Sequence, residues 1–220
     1  MQTAGGKSGL DAGVLKNRNA GGKNNGKRSK KLNGKDLIQI GIYAAIYYVI
    51  VCVVAMLGMI PVMYPMLAVI CPIVGGIPFM LFLTKVKKFG MIFIMSILLG
   101  TLMFISGMGW YALVMSVFTG LLSEWIYRAG NYESAKCAVF TNATFSLWVW
   151  ANLLLLFVNR ESFLASRAKT VGQDYVEKLN ALTPDWLCPV LLVICFLCGV
   201  IGGMLGKRML SRHFKKAGIA

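Results

Sequence analysis

Six long apolar runs separated by short connections leave this chain of 220 residues little choice of fold. About 20 consecutive apolar residues cross the hydrocarbon core of a bilayer as a helix. In lipid every backbone polar group must be paired internally, so a spanning segment is a helix or part of a closed barrel. The basic residues then set the orientation. Of the 23 Lys and Arg, all but Arg160, Arg167, Lys169 and Lys178 precede the first run, end or follow the last, or sit in or beside alternate connections at Lys85, Lys87, Lys88, Arg128 and Lys136. The four exceptions are matched by Glu161, Asp174, Glu177 and Asp185. Short basic loops stay in the cytoplasm, so both termini belong inside and the number of spans is even. The expected fold is an all-α integral membrane protein, a six-transmembrane-helix bundle in the cell membrane.

A hydrophobic content of 57% is too high for an ordinary soluble domain. The net charge of +15 is not arranged as a groove-binding patch. It borders the apolar runs, where anionic headgroups account for it, and nucleic acid is not expected as a partner. Residues 1–35, with Gly5-Gly6, Gly21-Gly22 and Asn24-Asn25-Gly26 set among lysines, form an expected disordered basic cytoplasmic tail. No cleavable signal peptide is expected, because the first apolar run is long enough to remain as a helix.

The membrane domain then occupies 36–220. The spacing predicts spans at 36–58, 61–84, 89–106, 110–128, 136–158 and 187–211, with Asp36 as the first N-cap. The second contains Pro61, Pro65, Pro72, Gly75, Gly76 and Pro78 and is expected to be kinked or broken. Gly107-Met108-Gly109 reads as a tight outer turn, and 159–186 as an outer lid loop with short amphipathic helices. Small residues recur at four-residue spacing: Ala112, Ser116 and Gly120; Gly199 with Gly203; Gly202 with Gly206; Gly41 with Ala45. Such pairs let helices approach closely.

Catalytic machinery is not expected. There is no phosphate-binding Gly-rich loop followed by Lys-Ser/Thr, no HExxH and no GxSxG. The single histidine, His213, belongs to the basic C-terminal tail. Cys52, Cys71, Cys137, Cys188, Cys195 and Cys198 lie in or beside apolar stretches without ligand partners, so neither disulfides nor a metal site is expected, and no cofactor. Glu124 is almost alone as an ionisable group within a span and is expected to pair with Arg128 at i+4. An ion-coupled carrier would need a buried relay.

The candidate substrate site lies at the outer helix ends: Met63 and Tyr64 in the first outer turn, Trp110 and Tyr111 opening the fourth span, Trp148 and Asn152 in the fifth, then Asn159, Arg160 and Trp186. Aromatics with a few amides and charges suit a flat, polar, vitamin-sized organic molecule. Trp110 and Trp186 equally fit an interfacial aromatic belt, and Asn152 a helix–helix hydrogen bond.

Lys35-Asp36-Leu37-Ile38-Gln39-Ile40-Gly41-Ile42-Tyr43-Ala44-Ala45-Ile46-Tyr47 resembles the first helix of substrate-binding S components of energy-coupling factor (ECF) transporters. More narrowly, Gly75-Gly76-Ile77-Pro78, Gly107-Met108-Gly109-Trp110, Phe145-Ser146-Leu147-Trp148, Ala181-Leu182-Thr183-Pro184-Asp185-Trp186 and Lys215-Lys216-Ala217-Gly218-Ile219-Ala220 resemble the Trep_Strep, or MptD-like, family. The resemblance implies capture of a micronutrient on the outer face. It also implies partnership with a membrane coupling protein and two cytoplasmic ATPases, and delivery by toppling of the whole subunit in the bilayer. A small-xxx-small motif on the first helix would meet the coupling protein. Here its positions are Gly41 and Ala45, with Gly where Ala is more usual. The alternatives are a stand-alone small-solute carrier and a non-transport assembly factor.

Overall fold

A computed structural model describes residues 32–216. Residues 1–31 of the expected tail, and the side chain of His213, lie outside the described residues. The described chain is helical: α1 (Gly34–Ala55) runs into a 3-10 turn (Met56–Met59) and is followed by α2 (Met63–Leu83), α3 (Met91–Met103), α4 (Trp110–Ala129), α5 (Ala135–Val158), two short helices α6 (Arg160–Val171) and α7 (Gln173–Leu182), and α8 (Leu187–Lys216). Four stretches are long and apolar enough to cross a membrane: Gly34–Met59, Met63–Leu83, Ala135–Val158 and Leu187–Ser211. The apolar Met91–Gly107 is shorter. The apolar character of α4 is diluted by Ser116, Thr119, Ser123 and Glu124, all of them buried. Large side chains such as Ile38, Val53, Phe118, Trp125, Val193 and Met204 are exposed on the outside of the bundle, as a lipid-facing surface requires.

The small-residue stripes are where helices meet. A Cβ on Gly76 would stand 2.6 Å from the carbonyl carbon of Gly202, and one on Gly206 2.8 Å from Met80 Cβ, so α2 and α8 touch through backbone. On the other side of α8, a Cβ on Gly199 would lie 2.7 Å from Ala143 Cα and one on Gly203 3.1 Å from Val139 Cα, both on α5. The two overlapping pairs thus serve two neighbours. Asn142 reinforces the second contact by donating to the Gly199 carbonyl at 2.7 Å. The stripe on α4 faces α3, where a Cβ on Gly120 would come within 2.6 Å of Ser96 Cβ.

Two local expectations need correction, and a third is narrowed: the second span is not broken. Helix α2 runs unbroken through Pro72 and Pro78. Pro61 precedes it and Pro65 occupies its first turn, where an N–H has no intrahelical acceptor, while both interior prolines are buried among neighbouring helices. Asp36 is not the N-cap of α1. Asn33 holds that place, and the Asp36 carboxylate accepts its N–H at 2.8 Å and the Lys88 ammonium at 2.7 Å.

Glu124 does not pair with Arg128. The fully buried carboxylate caps the start of α3, accepting the N–H groups of Ile92 at 2.9 Å and Phe93 at 3.2 Å. Its other oxygen accepts the Tyr132 hydroxyl at 3.3 Å. Tyr132 reaches it from a left-handed backbone conformation (φ 59°) that a non-glycine residue adopts only at some cost. Arg128 lies instead over the Phe89 ring, 5.1 Å from its centroid.

Candidate functional site

The core beneath the site is aromatic. Phe79 and Phe145 stack with ring centroids 4.1 Å apart, and Tyr47 meets Phe145 edge-on. The Trp148 indole donates to the Tyr47 hydroxyl at 3.2 Å, which locks both rings. Above this layer, at the helix ends remote from the basic connections, two cavities share Tyr64, Ser106 and Asn152 in their walls. The inner one, of about 150 Å³, is apolar and partly open: Val51, Cys52, Leu67, Cys71, Met103, Trp148 and Leu153 line it, together with Tyr48. The outer one, of about 430 Å³, is lined by Asn159, Ser162, Phe163, Ser166, Arg167 and Thr170 in addition to the shared residues.

Helix α6 supplies most of the outer wall because Asn159, Ser162, Phe163, Ser166, Arg167 and Thr170 recur at three- and four-residue intervals and so share one face. Two contacts hold this helix to the start of α2. The Tyr64 and Phe163 rings pack at 5.7 Å, and the Arg167 guanidinium sits over both, 5.6 and 5.3 Å from their centroids. From α7, Tyr175 donates to the Gly58 carbonyl.

The nine expected substrate-site residues divide clearly. Tyr64 and Asn152 border both cavities, Asn159 borders the outer one and Trp148 the inner one. Asn152 donates to the Trp148 carbonyl of its own helix at 2.8 Å, and its Oδ1 is buried without a hydrogen-bond partner. No bond to another helix engages that side chain among the described residues.

Trp110 and Trp186 are 58% and 67% exposed and line neither cavity. Tyr111 stacks on Trp110 at 4.1 Å, away from the cavities, and Met63 is not in their walls. Arg160 is a clasp: its guanidinium donates to Asn180 Oδ1, Asp185 Oδ1 and the Thr183 carbonyl at 2.7–2.8 Å, tying the start of α6 to the end of the lid. The residue missed by the sequence reading is Arg167, and with it the hydroxyls of Ser162, Ser166 and Thr170. Gly41 and Ala45 stand apart from the cavities on α1, where a Cβ on Gly41 would meet nothing within 4 Å and Ala45 is exposed.

Among the described residues no group of His, Cys, Asp or Glu is arranged to hold a metal ion, and the cysteines are unpaired. The family model for a hypothetical bacterial integral membrane protein (Trep_Strep) matches residues 34–216. The chain belongs to the Trep_Strep family. No curated protein and no solved structure matches it. Membership in Trep_Strep accords with the apolar exterior, and places the protein in a bacterial membrane. The family match begins at residue 34, one residue before the stretch that resembles an S-component first helix.

Proposed function

We propose that the protein is the substrate-binding S component of an ECF-type importer, a six-span subunit with both termini in the cytoplasm. It captures a vitamin-like or other micronutrient on the outer face and delivers it inside by toppling. The observation that carries this reading is the two-part cavity under α6, closed by a lid at the end of the bundle away from the basic connections. A preformed pocket with an apolar floor, a few convergent polar groups and an unpaired buried amide oxygen is the usual form of a small-molecule site.

Two further features support it. The buried carboxylate of Glu124 is committed to the start of α3 and lines neither cavity, and among the described residues no other carboxylate lines them. An importer of this kind draws its energy from separate ATPases through a coupling protein. Helix α1 offers a surface for that partner: Gly41 and Ala45 lie on an open face flanked by the exposed Ile38, Ile42 and Val49.

The test is purification of the full chain from its native host, followed by mass spectrometry of co-purifying small molecules and proteins. The expected result is a stoichiometric organic ligand together with a coupling protein and two ATPases. Ligand uptake that persists in an ATPase deletion would establish a stand-alone carrier instead. Membrane partners without ligand or ATPase would establish an assembly factor.

A further inference from the structure

We propose that the cavity takes an organic anion whose acid group meets Arg167 and whose single ring or short hydrocarbon arm enters the apolar chamber beside Trp148. This deepens the capture reading and rests on it.

The charge of the ligand follows from the difference between the two arginines of α6. Arg160 has its donors occupied by Asp185, Asn180 and Thr183. Arg167, two turns further along the same helix, has no carboxylate within ion-pair distance among the described residues and faces the outer cavity. It is half-buried, with the Tyr64 and Phe163 ring centroids 5.6 and 5.3 Å from its guanidinium carbon. A guanidinium carries five N–H donors in its plane, of which the Tyr64 hydroxyl can engage one, so donors remain for a carboxylate. Among the described residues no Asp or Glu lines either cavity, so a cationic ligand would find no counter-charge there.

The remainder of the ligand follows from the inner chamber. Its volume of about 150 Å³ is that of an apolar cavity able to hold one benzene ring. Its walls offer aliphatic, thiol and indole surface. Between the two chambers stands Asn152, whose Oδ1 is unpartnered but shielded; a turn of the amide would present it to a hydroxyl or amide N–H in the middle of the ligand. From inside to outside the order is therefore ring or short chain, donor, acid.

The experiment uses the full-length protein in lipid nanodiscs and three probes of increasing reach, phenylacetate, 3-phenylpropionate and 4-phenylbutyrate, each beside its uncharged primary amide. Ligand-induced shifts of the unfolding midpoint give relative affinities. At least one acid should stabilise the protein at a concentration about tenfold or more below that needed for its amide, the size expected of one charge-assisted pair. Arg167→Gln should abolish that preference and Arg167→Lys should keep part of it. Leu153→Trp, which fills the inner chamber, should weaken all the acids.

Amides that bind as well as acids, an unchanged preference in Arg167→Gln, or no stabilisation by any acid would each overturn the proposal. The comparison of acid with amide on the unmutated chain stands even if an Arg167 variant fails to fold. Because the assay contains no coupling protein or ATPase, its failure is distinct from failure of the importer reading. A coupling complex that co-purifies with a neutral or cationic ligand would remove only the anion.

Discussion

Tyr175 of α7 donates its phenolic hydrogen to the carbonyl oxygen of Gly58, 2.6 Å away, and both residues are buried. Through that bond the second lid helix is pinned to the turn joining α1 and α2, 117 residues earlier in the chain. On the proposed function α6 and α7 act as a lid, and opening it must break this bond. Tyr175→Phe leaves the Gly58 carbonyl without this donor, at a cost of about 1–3 kcal/mol. Hydrogen exchange across 160–182 should quicken while exchange in α5 and α8 stays as it was. Equal protection of the lid in the variant would mean the bond does not latch it.

The same contact predicts a pH dependence. Burial holds the Tyr175 hydroxyl above its ordinary value, with the nearby Arg167 acting in the opposite sense. The folded chain keeps this proton where the unfolded chain releases it, near pH 10. The stabilisation is therefore complete below about pH 10 and declines as the pH rises beyond it. Lid exchange measured from pH 8 to 11 should accelerate at the alkaline end in the native chain, and Tyr175→Phe should lack that component.

Glycines of similar sequence context should respond in opposite ways. Gly76→Ala and Gly202→Ala each place a Cβ against backbone that cannot yield, and should lower stability by about 3 kcal/mol or more, or prevent folding. Gly41→Leu enters open space and should leave thermal stability and ligand binding within experimental error. On the proposed function, Gly41→Leu and Ala45→Leu should nevertheless abolish uptake and co-purification of the coupling protein. Normal transport by both variants would put the interface elsewhere.

Asn152→Leu separates a ligand contact from a structural one. The Asn152 Oδ1 is a buried acceptor that the protein does not satisfy, so its removal should leave stability unchanged or raise it by about 1 kcal/mol. Affinity for the co-purified ligand should fall. A clear loss of stability in the variant would assign the side chain to packing.

Glu124→Ala should destabilise the bundle by about 2–4 kcal/mol, because two backbone N–H groups at the start of α3 lose their acceptor in a buried setting. Glu124→Gln retains a carbonyl acceptor and should lose less. Thermal unfolding in detergent distinguishes the two. An Ala variant as stable as the native chain would show that water replaces the carboxylate there.

The helices and their contacts were largely legible because both depend on local spacing. The pairs Gly199/Gly203 and Gly202/Gly206 are visible as four-residue repeats, and each repeat found the neighbour that its smallness allows. Glu124 shows the limit of such reasoning. Arg128 is its obvious partner by helical spacing, yet its actual partners lie 31 and 32 residues away on another helix, a pairing that no periodicity encodes.

The site was harder to read than the helices for a related reason. The polar face of α6 has the ordinary pattern of a helix lying against water, and nothing in the pattern says that this face borders a cavity. Arg167 was missed on that account. Trp110 and Trp186 satisfied a chemical expectation for a pocket, but composition does not distinguish an aromatic turned into a cavity from one turned outward at a helix end.

The glycine seam between α2 and α8 also bears on how the protein is made. Helix α2 emerges from the ribosome early, with Pro72 and Pro78 having removed two donors from its ladder and Gly76 presenting bare backbone. The surface that covers this backbone belongs to Gly202 and Gly206, which are synthesised more than a hundred residues later. Until then α2 lacks the helix that covers this backbone in the folded bundle. Messages truncated before the codons for the last helix should accordingly yield products that are cleared by membrane proteases, rather than shortened but folded bundles.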